Sequence, residues 1–233
     1  MATIKENLDK IKTQIFETAE SCDRRPDSVR LIAVSKKKSV KTIQEAIEAG
    51  AKHFGENYIQ EAVEKIDIIA NDSITWHFIG HLQSNKAKFA VKYFEYIHTV
   101  DKLKLAKEIN KQAKKIDKIQ KILLQINIGE ELTKSGARIE NAIDLARQIN
   151  ETHGFENLSV QGLMCMPPYF TVPEKARTYF KQLVQIKDKI IGNKFDTVVM
   201  RHLSMGMSND FKVAIDEGAT MVRVGTSIFG NRY

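Results

Sequence analysis

Cysteine is scarce in this sequence: Cys22 and Cys165 are the whole supply among 233 residues. Neither stands at metal-ligand or redox-motif spacing, so a disulfide framework and a zinc centre have no support, and two reduced thiols are expected, with Cys165 buried. Long hydrophobic runs are also missing. No stretch approaches the ~20 apolar residues that span a bilayer, which points away from the membrane. The charged segment from Met1 to Lys12 lacks a signal-peptide core, and a cytoplasmic location is expected. Neither the GxxxxGKS/T loop nor GxGxxG occurs, which argues against nucleotide phosphates and dinucleotides. Gly-rich linkers, charge blocks and low-complexity segments are absent too, so residues 1–233 read as one domain.

Acids are outnumbered, and the imbalance is local. The net charge is +7, and eleven lysines against four acids between Lys86 and Lys121 make an excess of the same size. No arginine stands among these lysines and few aromatics are interleaved, so a solvated outer helix face is expected and a nucleic-acid partner is not. Its field can still draw anionic ligands toward the protein.

What is present is a soluble globular composition, 42% hydrophobic and 28% charged, with length enough for a sizeable core. Ile4, Leu8, Ile11, Ile15 and Ala19 recur at helical spacing and predict an amphipathic helix on the outside of the core. An alternation follows. Strands are predicted near Leu31 to Ser35, Ala51 to Phe54, Ile74 to Phe78, Tyr96 to Val100, Lys121 to Asn127, Leu158 to Met164, Thr197 to Met200 and Thr220 to Val224. Helical patterns lie between them, at Val40 to Ala49, Tyr58 to Ala70, Asn85 to Val91, Lys102 to Lys115, Ile139 to Ile149, Pro173 to Ile191 and Asn209 to Glu217. Eight strand-helix units imply parallel strands with right-handed crossovers that close into a (β/α)8 TIM barrel, an α/β fold with an extra N-terminal helix. A doubly wound open sheet is the alternative.

In such a barrel the functional site is built from the loops that follow the strands. The run Leu31-Ile32-Ala33-Val34-Ser35-Lys36 ends a doubly buried strand on a lysine. At the barrel mouth Lys36 is partly shielded from water, which favours the neutral amine that attacks a carbonyl, whereas the bland reading is a solvated run with Lys37 and Lys38. Ser204-Met205-Gly206-Met207-Ser208 and Gly225-Thr226 follow strands seven and eight, the usual phosphate position in these barrels, where small residues let an anion approach backbone N–H groups. Arg223 stands two residues before Gly225, so both face the interior, where an arginine needs an acid, an acceptor or a bound ligand. His77 and His81 span a strand end and its loop with no glutamate between, so convergence on a metal is not expected. Met164, Met166, Met205 and Met207 read as soft packing around a pocket or core.

Together, Ala33-Val34-Ser35-Lys36, Gly55-Glu56-Asn57-Tyr58, Trp76-His77-Phe78-Ile79-Gly80 with Leu82-Gln83-Ser84-Asn85-Lys86, Gly162-Leu163-Met164, Ser204-Met205-Gly206-Met207-Ser208 and Arg223-Val224-Gly225-Thr226 with Phe229-Gly230 resemble the YggS/PROSC family. These are the pyridoxal phosphate homeostasis proteins, and the resemblance covers nearly the whole chain in register. It implies a barrel related to the alanine racemase N-terminal domain, carrying pyridoxal 5′-phosphate (PLP) as an aldimine on Lys36. It further implies that Ser204, Gly225 and Thr226 hold the phosphate, that Asn57 lies beside the cofactor and that Arg223 faces the pyridine nitrogen. Racemases of the related fold add a second domain that supplies an opposing acid-base group, and this chain leaves no room for one. A monomeric, non-catalytic PLP carrier serving PLP-dependent apoenzymes, with no catalytic residues, is therefore expected. A slow racemase or transaminase is the enzymatic alternative.

Overall fold

A computed structural model describes residues 2–131, 134–152, 154–195 and 198–230. The chain begins with α1 (Ile4–Ser21), whose first turn is closed reciprocally: Thr3 Oγ1 accepts from Glu6 N–H and Glu6 Oε2 accepts from Thr3 N–H at 2.7 Å. Its stripe Leu8, Ile11, Ile15 and Ala19 is buried, as the spacing predicts.

Eight parallel strands follow in chain order around a closed barrel, β1 (Arg30–Val34), β2 (His53–Glu56), β3 (Thr75–Phe78), β4 (Tyr96–Val100), β5 (Gln120–Ile126), β6 (Leu158–Cys165), β7 (Val198–Ser204) and β8 (Met221–Val224). Pairing of β1 with β8, Ile32 opposite Arg223, closes the ring and excludes the open sheet. The crossovers are α2 (Val40–Glu48), α3 (Ile59–Ile69), α4 (Ala87–Tyr93), α5 (Leu103–Lys114), α6 (Ala142–Glu151), α7 (Arg177–Gly192) and α8 (Phe211–Asp216), and one further turn, α9 (Thr226–Phe229), ends the described chain. The extra helix α1 packs beside α8 and α9, where Asn7 Nδ2 donates to Ile228 O at 3.1 Å and Arg24 donates to Ile215 O and Ala219 O.

Two strands depart from their sequence reading. β2 starts two residues later than expected and carries Glu56 inside the strand, because the in-register pairing from His53 with Thr75 to Glu56 with Phe78 overrides the polarity of Glu56. β7 runs on to Ser204, four residues past the expected end at Met200; Thr197, the expected start, lies outside the described residues. Arg201 and His202 look like loop residues, yet β6 pairs His202, Leu203 and Ser204 with Gly162, Leu163 and Met164. Ladder hydrogen bonds, which no local pattern reports, decide both boundaries.

Most apolar side chains lie between strands and helices, in one layer that includes Phe54, Trp76, Phe78, Ile97 and Leu163. The barrel interior is different. Its buried apolar cluster holds Ile32, Tyr96, Leu123, Met164 and Met221, and beside these stand buried His77, His98, Gln125, Ser204 and Arg223. The same ladder explains Gly162: a Cβ there would lie 1.8 Å from the carbonyl oxygen of His202. Gly162→Ala must push β6 from β7 and is expected to lower the unfolding free energy by about 1–3 kcal/mol, measured by urea denaturation.

Candidate cofactor site

A cavity of about 400 Å³ opens at the C-terminal ends of the strands. Lys36 lines it from the loop after β1, Asn57 from the loop after β2, Met207 and Ser208 from the loop after β7, and Arg223, Gly225 and Thr226 from the end of β8. Five of the six residues expected to hold a cofactor are thus brought together.

Ser204 is the exception. Its hydroxyl is fully buried inside the barrel, accepting from Arg223 Nη1 at 2.6 Å and lying 2.9 Å from His98 Nδ1. Because β7 extends to Ser204, this side chain belongs to the last inward layer of the barrel and not to the loop beyond it. The serine on the cavity wall is Ser208, whose Oγ accepts from Gly225 N–H at 3.4 Å. Ser204 Oγ therefore faces Arg223 inside the barrel, and Ser208 Oγ is the hydroxyl that stands beside the Gly225 N–H on the cavity wall.

Lys36 is set by its neighbours. The Ser35 carbonyl accepts from Lys65 Nζ at 2.9 Å, and the Lys37 N–H donates to Glu61 Oε1 at 2.5 Å, so the backbone is gripped on both sides of the half-buried lysine. Lys37 adopts a left-handed φ of 60°, which turns the chain there. Lys65 also pairs with Glu61 at 2.5 Å and with the fully buried Glu56 at 2.9 Å, and Ser35 Oγ donates to Glu56 Oε1 at 2.7 Å. Burial pushes the Glu56 carboxyl up, and Lys65 and Ser35 offset part of that rise. Sequence reasoning missed Glu61 and Lys65. The available signal was a lysine on the inward stripe of α3, with Ile59 and Ala62.

Arg223 is 4% exposed; besides its bond to Ser204, its Nη2 donates to the Cys165 carbonyl at 2.8 Å. Desolvation draws its guanidinium below the ordinary value, with Cys165 and Asp210 opposing. Asp210 accepts from Met207 N–H at 2.6 Å and so shapes the turn that presents Ser208. Asn57 is fixed from above by Gly80, where a Cβ would sit 2.1 Å from the Asn57 carbonyl oxygen. Asn57 Oδ1 is buried with no hydrogen-bond partner in the protein. An orphaned acceptor, a donor-rich arginine, a lysine and hydroxyls around one cavity fit a polar, anionic, heterocyclic ligand bearing a carbonyl.

His77 and His81 do not converge. His77 lies inside the barrel against His53 and His98, and His81 Nδ1 lies 3.2 Å from Ser135 Oγ at the mouth. Burial holds the interior imidazoles neutral: His77 and His98 are displaced well below the usual histidine value, and His53 and His202 are lowered to about 4. Unfolded histidines take their protons near pH 6.5, so between there and about pH 4 the unfolded state binds more protons and stability falls with pH. Glu56 and Asp210, raised by desolvation, act in the opposite sense. The histidines outnumber them, and urea midpoints are expected to drop steadily from about pH 7 to about pH 4.5, with a shallower drop in His53→Gln.

The closed barrel with a lysine-lined cavity at its C-terminal mouth is of the alanine racemase N-terminal class. Residues 4–232 match the family described as alanine racemase, N-terminal domain. Over its full length the chain is 40% identical to the pyridoxal phosphate homeostasis protein of Vibrio alginolyticus, covering 99% of it. It is 39% identical to the protein of the same description from Escherichia coli strain K12, covering 98% of it. PipY of Synechococcus elongatus PCC7942, solved with PLP bound, is 34% identical and superposes with a TM-score of 0.85 over 98% of this chain and 100% of that one. An alanine racemase of Clostridium difficile, 17% identical with a TM-score of 0.71, shares the fold over 57% of its own length. The chain belongs to the pyridoxal phosphate homeostasis protein family.

Proposed function

We propose that this protein holds pyridoxal 5′-phosphate on Lys36 and keeps it in reserve, without a robust catalytic cycle of its own. The observation that carries this reading is that Lys36, Arg223 and the Ser208, Gly225 and Thr226 donors line one cavity. When bound, the cofactor supplies an aldehyde that a neutral amine captures with loss of water. Lys36 is the anchor. Ser208 and the backbone N–H groups at Gly225 and Thr226 hold the phosphate, Asn57 lies beside the ring, and Arg223 faces the ring nitrogen.

Arg223 bears on the chemistry of the bound ring. A guanidinium has no acceptor, so it donates to the ring nitrogen and leaves it unprotonated, which weakens the ring as an electron sink. Its bonds to Ser204 and the Cys165 carbonyl keep it in that donating role. The family members compared above are named as homeostasis proteins and not as enzymes. The same reading makes PLP-dependent apoenzymes the recipients and takes residues 1–233 as one domain, monomeric and cytoplasmic, with no nucleic-acid partner.

Borohydride treatment of PLP-loaded protein followed by peptide mass mapping tests the anchor. The phosphopyridoxyl mass is expected on Lys36, and its appearance on another lysine overturns the assignment. Incubation of loaded protein with L-alanine in deuterated water tests the absence of turnover. Sustained α-proton exchange at enzymatic rates would make the protein a racemase or transaminase instead.

A further inference from the structure

The interior of the barrel holds a line of polar groups that the cavity itself does not account for. His53 Nδ1 lies 3.2 Å from His77 Nε2, His77 Nδ1 lies 2.9 Å from His98 Nε2, and His98 Nδ1 lies 2.9 Å from Ser204 Oγ. Ser204 Oγ then accepts from Arg223 Nη1 at 2.6 Å. His77, His98 and Ser204 have no exposed surface, whereas His53, at the start of β2, is half-buried. The line thus runs from the N-terminal face of the barrel to the wall of the cofactor cavity. The His77 ring is further held by stacking on Tyr96, with centroids 4.9 Å apart and planes 9° from parallel.

One arrangement of protons satisfies every group on this line. Arginine has no acceptor, so Arg223 donates to Ser204. Among the described residues the one acceptor within hydrogen-bond distance of the serine's own proton is His98 Nδ1. A neutral imidazole carries a single N–H, so that of His98 is on Nε2 and donates to His77 Nδ1. By the same step His77 donates from Nε2 to His53 Nδ1, and His53 keeps its proton on Nε2. Every bond points from Arg223 toward His53. Reversing one bond alone would set two donors or two acceptors face to face, and reversing the three imidazole bonds together would leave the serine proton without an acceptor in a fully buried site.

We propose that this one-way line makes His98, backed by His77 and His53, a positioning residue for the cofactor: it accepts the hydrogen bond of the Ser204 hydroxyl, turns the serine's lone pair to Arg223 and so sets the guanidinium in the cavity wall. The proposal rests on the reading that the cavity holds PLP with Arg223 at its ring nitrogen. With Nη1 committed to Ser204 and Nη2 to the Cys165 carbonyl, the remaining N–H groups of Arg223 are the ones available to a ligand.

Two measurements separate the proposal from the cofactor reading. Long-range 1H–15N NMR of the protein without added PLP is expected to show His53, His77 and His98 all in the Nε2–H form. A proton on Nδ1 of His98 overturns the line whatever the cavity binds. The second measurement loads wild type, His98→Phe and His98→Asn with PLP carrying 15N in its ring. In His98→Phe the ring-nitrogen resonance is expected to move and the dissociation constant to rise about tenfold, the loss of one charge-assisted hydrogen bond's support. The Asn variant, which keeps an acceptor oxygen near the Nδ1 position, is expected to restore both. An unchanged resonance and affinity in His98→Phe overturns the positioning role; if that variant does not fold, Ser204→Ala decides by the same two readouts. Should wild type take up no PLP, the cofactor reading fails and takes the positioning role with it, and the tautomers still judge the line.

Discussion

Replacing Lys36 with alanine is expected to abolish borohydride labelling of the protein by PLP and to weaken its retention about a hundredfold, a loss of ~2.7 kcal/mol. The direction follows from the division of labour in the cavity. Ser208, Gly225, Thr226 and Arg223 remain to hold an anion and a ring, so residual binding persists, but the amine in covalent reach is gone. Lys38 also lines the cavity, and its Nζ already donates to the Phe229 carbonyl at 3.0 Å and the Gly230 carbonyl at 3.4 Å. Lys38→Ala is therefore expected to leave the label in place. Peptide mapping of both variants after borohydride, beside equilibrium dialysis with PLP, reads the two effects together. Full labelling of Lys36→Ala would place the anchor elsewhere.

The second large effect is expected at Lys65, which never enters the cavity. Its side chain is 7% exposed and is the partner of the fully buried Glu56 carboxylate, whose Oε2 has no partner in the protein. Lys65→Met leaves that carboxyl without its buried counter-charge and with Ser35 as its remaining donor, and removing one member of a buried pair is destabilising by about 3–5 kcal/mol. The loss also releases the Ser35 carbonyl and one side of the Lys36 backbone clamp. Chemical denaturation is expected to show the stability loss, and PLP loading the weakened retention. Adding Glu56→Gln to Lys65→Met is expected to recover part of the stability, since the amide need not be buried as a charge. If the single variant stays within about 0.5 kcal/mol of wild type, the pair contributes no more than an ordinary surface contact.

Much of the architecture can be read without coordinates. A repeating alternation of short apolar runs with amphipathic stretches has one economical closure at this length, and each of the eight strands and the leading helix overlaps the segment where the pattern puts it. The misplaced boundaries share a cause. Glu56 and His202 are polar residues kept in strands by pairing with Phe78 of β3 and Gly162 of β6, and polarity along one chain says nothing about a partner strand. Of the expected cofactor residues, Lys36, Asn57, Arg223, Gly225 and Thr226 meet at one cavity, and Ser204 does not. Ser204 and Ser208 flank the same short motif. Which of them faces inward depends on where β7 ends, and that is set by its neighbour β6.

The supports behind the site were less legible still. Lys65 was a single charged residue on an apolar stripe, and the histidines of β2, β3 and β4 were isolated letters about twenty residues apart. What the amino-acid order determined by itself was periodic and local: which segments are helix or strand, how many units there are, and that a lysine and an arginine stand at strand ends. What only the tertiary structure decided was adjacency across the barrel, because strand register and inward orientation arise from hydrogen bonds and packing between segments far apart in the chain. That adjacency joins Glu56 to Lys65 behind Lys36 and lines up three imidazoles, a serine and an arginine along the barrel's interior.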